Sequence, residues 1–147
     1  MTAAPDDGLG ADLAASHPPA GYVLVHRWAL DSITELHHLR AGLRHEVDTH
    51  IHPPPTTTAR DLALIASELA TNALLHARAP TLVELSHHQA RFLLTVTDPD
   101  PGSEPQVAGP RPPGQGGFGL RIVSSLAQHV GWYRTDDAKV VWAEVGE

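Results

Sequence analysis

The sequence predicts an α/β two-layer sandwich, in which a mixed or largely antiparallel sheet carries helices on one face. Three observations lead to this prediction. Short β-rich runs occur as two hairpin-like pairs. A long run without Gly or Pro, residues 61–77, has apolar residues at helical spacing. The strands are grouped along the chain instead of alternating one by one with helices, which favours a layered fold over a parallel α/β sheet.

The elements follow in the order strand, helix, helix, hairpin, loop, helix, hairpin. The predicted strands are 22–28, 81–86, 91–97, 131–134 and 140–145. The predicted helices are one that starts at a Ser-x-x-Glu capping box and stops before Pro53, one over 61–77 and one over 119–129. Residues 1–20 carry few core-forming side chains and are predicted to be a disordered tail, so the folded domain is 21–147.

Apolar stripes define the predicted buried faces of the first two helices. The first stripe is Ile33, Leu36, Leu39, Leu43 and Val47. The second is Leu62, Ile65, Leu69, Ala73 and His76. A chain of 147 residues with 41% hydrophobic side chains is long enough to bury one sizeable core.

Composition excludes several classes of protein. The formal net charge of −7 disfavours a nucleic-acid partner, because phosphate binding needs a basic surface. The chain contains no cysteine, which excludes disulfides and thiolate metal sites. We find no apolar run long enough for a membrane span and no secretion signal, so the expectation is a cytoplasmic protein without a membrane partner.

Glu68 and Asn72 lie four residues apart in the second helix, and His76 continues the same ridge. A carboxylate and an amide at the edge of an apolar stripe have two interpretations. One is a helix edge that contacts solvent. The other is a polar pair that faces a ligand pocket.

Two later segments bear on that choice. Asp98 ends a predicted strand, where its carboxylate can accept a hydrogen bond from an exocyclic amine such as that of adenine, although Asp98-Pro99 is also typical of a simple turn. Residues 114–119 are glycine-rich and lead into a helix, an arrangement that can cradle phosphate or act as a hinge. Neither a Rossmann nor a P-loop arrangement is present. The paired histidines, such as His37-His38, are interpreted as surface residues and not as metal ligands.

Together, these segments resemble the nucleotide-binding boxes of the GHKL (histidine kinase/Hsp90-like) ATPase superfamily, whose ATP-binding fold is the Bergerat fold. Glu68-Leu69-Ala70-Thr71-Asn72-Ala73-Leu74-Leu75-His76-Ala77 resembles the N box. Asp98 through Gly102 resembles the first glycine box, and Gly117-Phe118-Gly119-Leu120-Arg121-Ile122-Val123 resembles the second. Within the superfamily the chain is most similar to the RsbW-type anti-sigma-factor serine kinases of actinobacteria.

The resemblance implies a role for each matched residue. Asn72 would ligate a Mg²⁺ that bridges the phosphates of ATP, and Glu68 would be the catalytic base for an attacking serine hydroxyl. Asp98 would bind the adenine amine. The further cofactor-binding positions implied by the motifs are Gly102, Gly117, Gly119 and Leu120, with residues 103–116 as a lid. Arg78 or Arg121 would add positive charge near the phosphates.

Three positions depart from the family pattern. Asp100 stands where the first glycine box usually has a glycine, and Gln115 stands where some members have another glycine. Val140 is interpreted as occupying the place of a threonine that joins the adenine network in the last strand. Each departure is expected to weaken nucleotide binding without changing the fold.

The functional prediction is an ATP-binding regulatory protein that uses Mg-ATP to phosphorylate a serine of an antagonist protein. By the same resemblance its partners would be that antagonist and a sigma factor, and a homodimer is possible. One alternative is a non-catalytic partner-binding or nucleotide-sensing module with the same fold. Another is a histidine-kinase catalytic domain that acts in trans.

Overall fold

A computed structural model of the protein describes residues 14–53, 57–76, 80–99 and 119–146. In these residues it contains five strands, three α-helices and one short 3₁₀ turn, Ile33–Glu35. The strands are β1 (Val23–Leu30), β2 (Thr81–His88), β3 (Arg91–Asp98), β4 (His129–Arg134) and β5 (Lys139–Gly146). The helices are α1 (Leu36–His50), α2 (Thr58–His76) and α3 (Gly119–Leu126).

The five strands form one sheet in the order β1-β2-β3-β5-β4, and every neighbouring pair is antiparallel. This confirms the predicted sandwich and its largely antiparallel sheet. The helices cover one face of the sheet, where a single cluster of buried side chains joins the two layers. From the sheet this cluster includes Val83, Leu85, Phe92, Leu94, Val96, Val141, Ala143 and Val145.

The structure confirms most of the apolar stripe that was predicted for the first helix. Leu36, Leu39, Leu43 and Val47 are buried, but Ile33 is 46% exposed because it lies in the 3₁₀ turn before α1, so its prediction was wrong. The Glu35 carboxylate accepts a hydrogen bond from the backbone N–H of Ser32 at 3.1 Å, as the capping box predicts.

The second helix buries Leu62, Ile65, Leu69 and Ala73 as predicted, while the side chain of His76 lies outside the described part. The third helix is shorter than predicted. It ends at Leu126, and His129 begins β4 instead of ending the helix. None of the helices in the described residues is both long enough and apolar enough to cross a membrane.

Residues 14–22, which we call the N-terminal strap, pair with the edge strand β4 through a parallel bridge between Ala15 and Trp132 and reach the outer face of the sheet at Glu144 through Tyr22. The backbone N–H of Ser16 donates to the carbonyl of Trp132 at 2.8 Å, and Trp132 N–H donates to the carbonyl of Ala14 at 3.2 Å. The indole N–H of Trp142 donates to the carbonyl of Ser16 at 2.8 Å. The prediction of a disordered tail as far as residue 20 is therefore wrong for residues 14–16, and residues 1–13 lie outside the described part.

Gly131 shows how closely the strap lies on the sheet. A Cβ at this position would be 2.7 Å from the Trp142 ring and would also collide with the Ser16 hydroxyl. A glycine in a strand interior often marks such an approach of another segment. The absence of a side chain at Gly131 is therefore what lets the indole and the strap pack over β4.

Glu144 anchors the far end of the strap. Its carboxylate is almost fully buried and accepts a hydrogen bond from the Tyr22 hydroxyl at 2.5 Å. His129 Nδ1 lies 2.8 Å and Arg91 3.7 Å from the same carboxylate. Burial acts to raise the pKa of Glu144, but the hydrogen bonds from Tyr22 and His129 and the charge of Arg91 outweigh it and hold this pKa below its ordinary value of 4.5.

We expect Glu144→Gln to lower the free energy of unfolding by about 1–3 kcal/mol at pH 7, because a buried charged acceptor is lost. A carboxyl whose pKa is lower in the folded state stabilises above its ordinary pKa, and this contribution disappears as the pH falls through the folded-state pKa. The deficit of the variant should therefore shrink below about pH 4.5. Urea unfolding between pH 7 and the acid range measures it.

The matched control is Glu84→Gln on the same face of the sheet. Glu84 pairs at 2.7 Å with Arg27, whose side chain is more than half exposed, and such surface pairs contribute about 0–1 kcal/mol. An equal loss of stability in both variants, or a Glu144→Gln deficit that does not change with pH, would show that the strap anchor is not electrostatic.

Candidate functional site

The topology brings five element ends to one end of the sandwich. The N-terminus of β2 lies beside the C-terminus of β3, since Leu82 pairs with Thr97. The N-terminus of β5 lies there too, because Lys139 pairs with Asp98. Helix α2 ends five residues before Thr81, so its C-terminal turn is close to the same edge. Helix α3 precedes β4 by a short connection and so begins at this end as well.

Three side chains form a row on the helix-facing side of this edge. Val96 of β3 pairs with Val141 of β5, and both belong to the core. Because side chains alternate between the faces of a strand, Asp98 and Lys139, two residues away, share the face of that core pair. The same alternation places Thr81 on this side. We call Thr81, Asp98 and Lys139 the rim row.

Asp98 occupies the centre of the rim row, as the sequence led us to expect of a carboxylate delivered by the end of a strand. Only 5% of the residue is exposed. Its Oδ2 atom lies 3.7 Å from Nζ of Lys139, whose side chain is 14% exposed. The carboxylate is therefore buried at the end of the sheet next to a cation, on the side where the helices begin and end.

The register corrects the expectation for Val140. A residue of β5 that joins a ligand network with Asp98 must lie on the helix-facing side, but Val140 pairs with Thr97 and faces the other way. Lys139 is the β5 residue beside the carboxylate. Sequence reasoning missed Lys139. One signal for it was available, since Lys139 is the single lysine among ten basic residues.

Thr81 also escaped the sequence analysis. It is fully buried, and its hydroxyl oxygen has no hydrogen-bond partner among the described residues. It lies one residue beyond the pair Leu82–Thr97, which puts it opposite Asp98 in the ladder. A buried hydroxyl without a partner costs about 1–3 kcal/mol, so a water or a ligand atom is expected beside it.

Glu68 and Asn72 lie on one flank of α2. The opposite flank faces α1, because the Ser67 hydroxyl accepts a hydrogen bond from Arg40 at 3.2 Å. Successive helical residues are 100° apart, so Glu68 and Asn72 lie on the side away from Ser67, and α2 also packs against α3. Both residues are partly exposed. In the described ranges neither side chain makes a hydrogen bond or an ion pair.

The remaining predicted positions divide into two groups. Gly119 is the first residue of α3, and Leu120 follows with its side chain in the core. The group that Leu120 offers to a ligand is therefore its backbone N–H, one of the free donors in the first turn of the helix. Arg121 is exposed. The other positions, which are Arg78, Asp100, Gly102, Gln115, Gly117 and the predicted lid 103–116, lie outside the described residues.

Metal ligation by protein side chains alone finds no support in the described ranges, which contain no group of three or more His, Asp or Glu residues able to hold an ion. His37 and His38 stack on each other at 4.0 Å between ring centres, and both are exposed.

Two comparisons with known proteins gave matches to this chain. The profile of the histidine kinase-like ATPase domain matches residues 33–145, more than half of the chain. Among solved structures, the histidine kinase domain of the blue-light-activated histidine kinase from Erythrobacter litoralis EL346 is 25% identical, with a TM-score of 0.47. That match covers 78% of this chain, which spans 60% of the other. No curated protein matches the sequence.

The matched region contains every element from α1 to β5, together with Glu68, Asn72 and Asp98. The predicted superfamily is therefore confirmed, and the narrower resemblance to anti-sigma-factor serine kinases stays a prediction. The chain belongs to the histidine kinase-like ATPase domain family.

Proposed function

We propose that the protein binds Mg-ATP at the end of the sandwich that carries the rim row and phosphorylates a serine of a partner protein. The observation that supports this most is the combination of a buried carboxylate, Asp98, with Glu68 and Asn72 one helical turn apart. Polar side chains gathered at one end of a packed core are what a polar ligand needs.

The residues present fit a nucleotide with its magnesium ion. Thr81 has a buried hydroxyl without a partner in the described part of the chain, so a hydrogen-bonding ligand would remove an unfavourable state. Carboxamide and carboxylate oxygens, as in Asn72 and Glu68, are the hard ligands that Mg²⁺ accepts alongside phosphate oxygens. The set contains no soft ligand that would favour another metal.

Each residue then has a task that its chemistry allows. Asp98 accepts a hydrogen bond from the base and orients it in the core. Asn72 holds the cation through its amide oxygen. The free backbone N–H groups at the start of α3, which begins at Gly119, would donate to the negatively charged phosphates. When bound, Mg-ATP supplies the phosphoryl group and a divalent charge that stabilises its transfer.

Glu68 is suited to act as the general base. It is partly exposed, and in the described ranges no cation or donor engages its carboxylate. An unpaired carboxylate one helical turn from the cation ligand Asn72 is free to accept a proton from an attacking serine hydroxyl. The same geometry would serve an attacking water, in which case the protein hydrolyses ATP.

The choice of a protein serine as acceptor rests on the resemblance of the three boxes to anti-sigma-factor serine kinases. The net charge of −7 is compatible with protein partners such as a sigma factor and its antagonist, and it disfavours nucleic acid. A homodimer fits the same proposal.

A second candidate function is a nucleotide-sensing or partner-binding module without phosphotransfer. One feature of the sequence favours it: Asp100 stands where the first glycine box of the family usually has a glycine, which adds a negative charge close to Asp98 in the sequence. The two candidates differ in whether Glu68 matters for chemistry, and they are separated by the next experiment.

For the kinase, Glu68→Gln should leave Mg-ATP affinity within about threefold and lower phosphotransfer by about 10²–10⁴-fold, because only the base is lost. Asn72→Ala should weaken ATP binding in Mg²⁺ but not in EDTA, because it removes a ligand of the cation. Calorimetry measures binding, and transfer of labelled phosphate to candidate antagonist proteins measures activity.

Asp61→Asn is the matched control, since Asp61 lies two turns before Glu68 on the same flank of α2, away from the rim, beside Arg60 at 3.4 Å. It should change neither quantity. Absence of ATP binding to the wild type would refute the kinase and the nucleotide-sensing module and would leave only a partner-binding module. Binding without phosphotransfer to any antagonist, unchanged by Glu68→Gln, would leave the sensing module.

Thr81→Val should lower the affinity for Mg-ATP without lowering the stability of the fold. Valine keeps the shape of threonine but removes the unpaired hydroxyl, so the unfolding free energy without nucleotide should stay equal or rise by about 1 kcal/mol. Affinity for Mg-ATP should fall several-fold, while Thr81→Ser should retain it. Thermal unfolding and calorimetry on the same samples give both quantities.

Thr97→Val provides the comparison, because Thr97 belongs to the neighbouring strand and faces away from the helices. It should leave ATP affinity unchanged. A clear destabilisation by Thr81→Val with no loss of affinity would mean that the hydroxyl serves the fold and not the ligand.

A further inference from the structure

We propose that the N-terminal strap is a conformational clamp on helix α3, and that its docking on β4 strengthens nucleotide binding. The inference rests on the proposed function, because α3 begins at the end of the sandwich where Mg-ATP would bind. The docked strap holds β4, and β4 holds α3. Release of residues 14–22 therefore loosens α3 and lowers the affinity for Mg-ATP.

The strap holds β4 at two points. Two backbone hydrogen bonds, of 2.8 and 3.2 Å, join the strap to Trp132, the fourth residue of β4. The Tyr22 hydroxyl donates to Glu144 at 2.5 Å, and Nδ1 of His129, the first residue of β4, lies 2.8 Å from the same carboxylate. Within the described residues, the edge strand β4 therefore has β5 on one side and the strap on the other.

Two physical links connect β4 to α3. Trp132 pairs with Val141 of the core, so its indole lies on the helix-facing side, where α3 contacts β4, and only 6% of the residue is exposed. The second link is the connection of residues 127–128, in which the backbone N–H of Gln128 donates to the carbonyl of Glu144 at 2.7 Å. A displacement of β4 is therefore transmitted to α3 by packed side chains and by a short, hydrogen-bonded connection.

The strap can detach without unfolding of the domain. None of residues 14–22 is buried, and hydrogen bonds and ring contacts hold this segment to the sheet. Segments with few buried apolar contacts open at a lower free energy than the core. Gly21, at φ +100°, forms the turn between the strap and β1, in a backbone conformation that glycine adopts readily. After detachment, β4 keeps its pairing with β5.

The first test uses a double variant, Ser16→Pro with Tyr22→Phe. The proline removes the N–H that donates to Trp132, and the phenylalanine removes the hydroxyl that donates to Glu144. Hydrogen exchange of the protein without nucleotide, followed by mass spectrometry, should be about tenfold faster in α3 and β4 and unchanged in α1. Calorimetry should give an affinity for Mg-ATP about five- to tenfold weaker than that of the wild type.

Tyr133→Phe is the matched control. Tyr133 lies in β4 on the outer face of the sheet, because it pairs with Val140, and its ring stacks on that of His17 at 4.6 Å. Its hydroxyl makes no hydrogen bond within the described ranges. Phenylalanine therefore keeps the stacked ring and removes no bond that holds the strap, so hydrogen exchange and affinity should equal those of the wild type.

The double variant can contradict the inference in several ways. Unchanged exchange of α3 and β4 would overturn it, and so would an equal acceleration in α1, which indicates a general loss of stability. Unchanged or tighter binding of Mg-ATP by the double variant would overturn the inference while the proposed function survives. Absence of ATP binding to the wild type would overturn the proposed kinase and the inference together.

The second test uses the intact wild-type protein. If the docked strap strengthens binding of Mg-ATP, bound Mg-ATP must stabilise docking of the strap by the same factor. Saturating Mg-ATP should therefore slow hydrogen exchange about five- to tenfold in the peptide that contains the Ser16 amide, which donates to Trp132. Unchanged exchange of this peptide, at a nucleotide concentration that calorimetry shows to be saturating, would overturn the clamp and leave the proposed function intact.

Discussion

The register of β3 between β2 and β5 is the constraint on which the site depends. Side chains alternate along a strand, so a shift of one residue would turn Asp98 to the opposite face and bring Thr97 to the helices. The register is held by apolar pairs in the core, such as Val96 with Val141. The apolar packing that stabilises the sandwich therefore also places the carboxylate of Asp98, the hydroxyl of Thr81 and the ammonium of Lys139 in one row.

Polar groups on the two faces of the sheet differ in whether they have hydrogen-bond partners. On the outer face, the buried Glu144 is fully engaged by Tyr22 and His129, and a satisfied buried network contributes to a unique and stable structure. At the helix-facing edge, the Thr81 hydroxyl and the Glu68 carboxylate have no partners within the described ranges. Native proteins rarely leave buried polar groups unpaired, so the Thr81 hydroxyl is compatible with a ligand at this edge, although His87 Nε2 at the other end of β2 is also unpaired within the described residues.

The sequence predicted what depends on local periodicity and missed what depends on distant contacts. The stripes of α1 and α2 were predicted because apolar residues repeat every three to four positions, and Ile33 failed because its 3₁₀ turn has a different period. Asp98, Glu68 and Asn72 were proposed as site residues from their motifs, and their roles stay predictions. The strap was missed because backbone hydrogen bonds of Ser16, and not apolar side chains, hold it to the sheet. Lys139 was missed because periodicity alone does not fix the pairing of strands.

The ion pair at the rim is difficult to explain by stability alone. Replacing a buried ion pair by apolar residues of similar size is often neutral or stabilising, and β5 continues from Lys139 with Val140 and Val141. An isolated carboxylate at the position of Asp98 would, in contrast, be a buried charge without compensation. The ammonium of Lys139, with Nζ 3.7 Å from Oδ2 of Asp98, supplies an opposite charge that offsets the cost of burying this carboxylate. The free-energy cost of desolvating the Asp98 carboxylate is therefore largely offset during folding, before a ligand binds. A ligand with a polar edge then binds to a rim whose polar groups are already oriented.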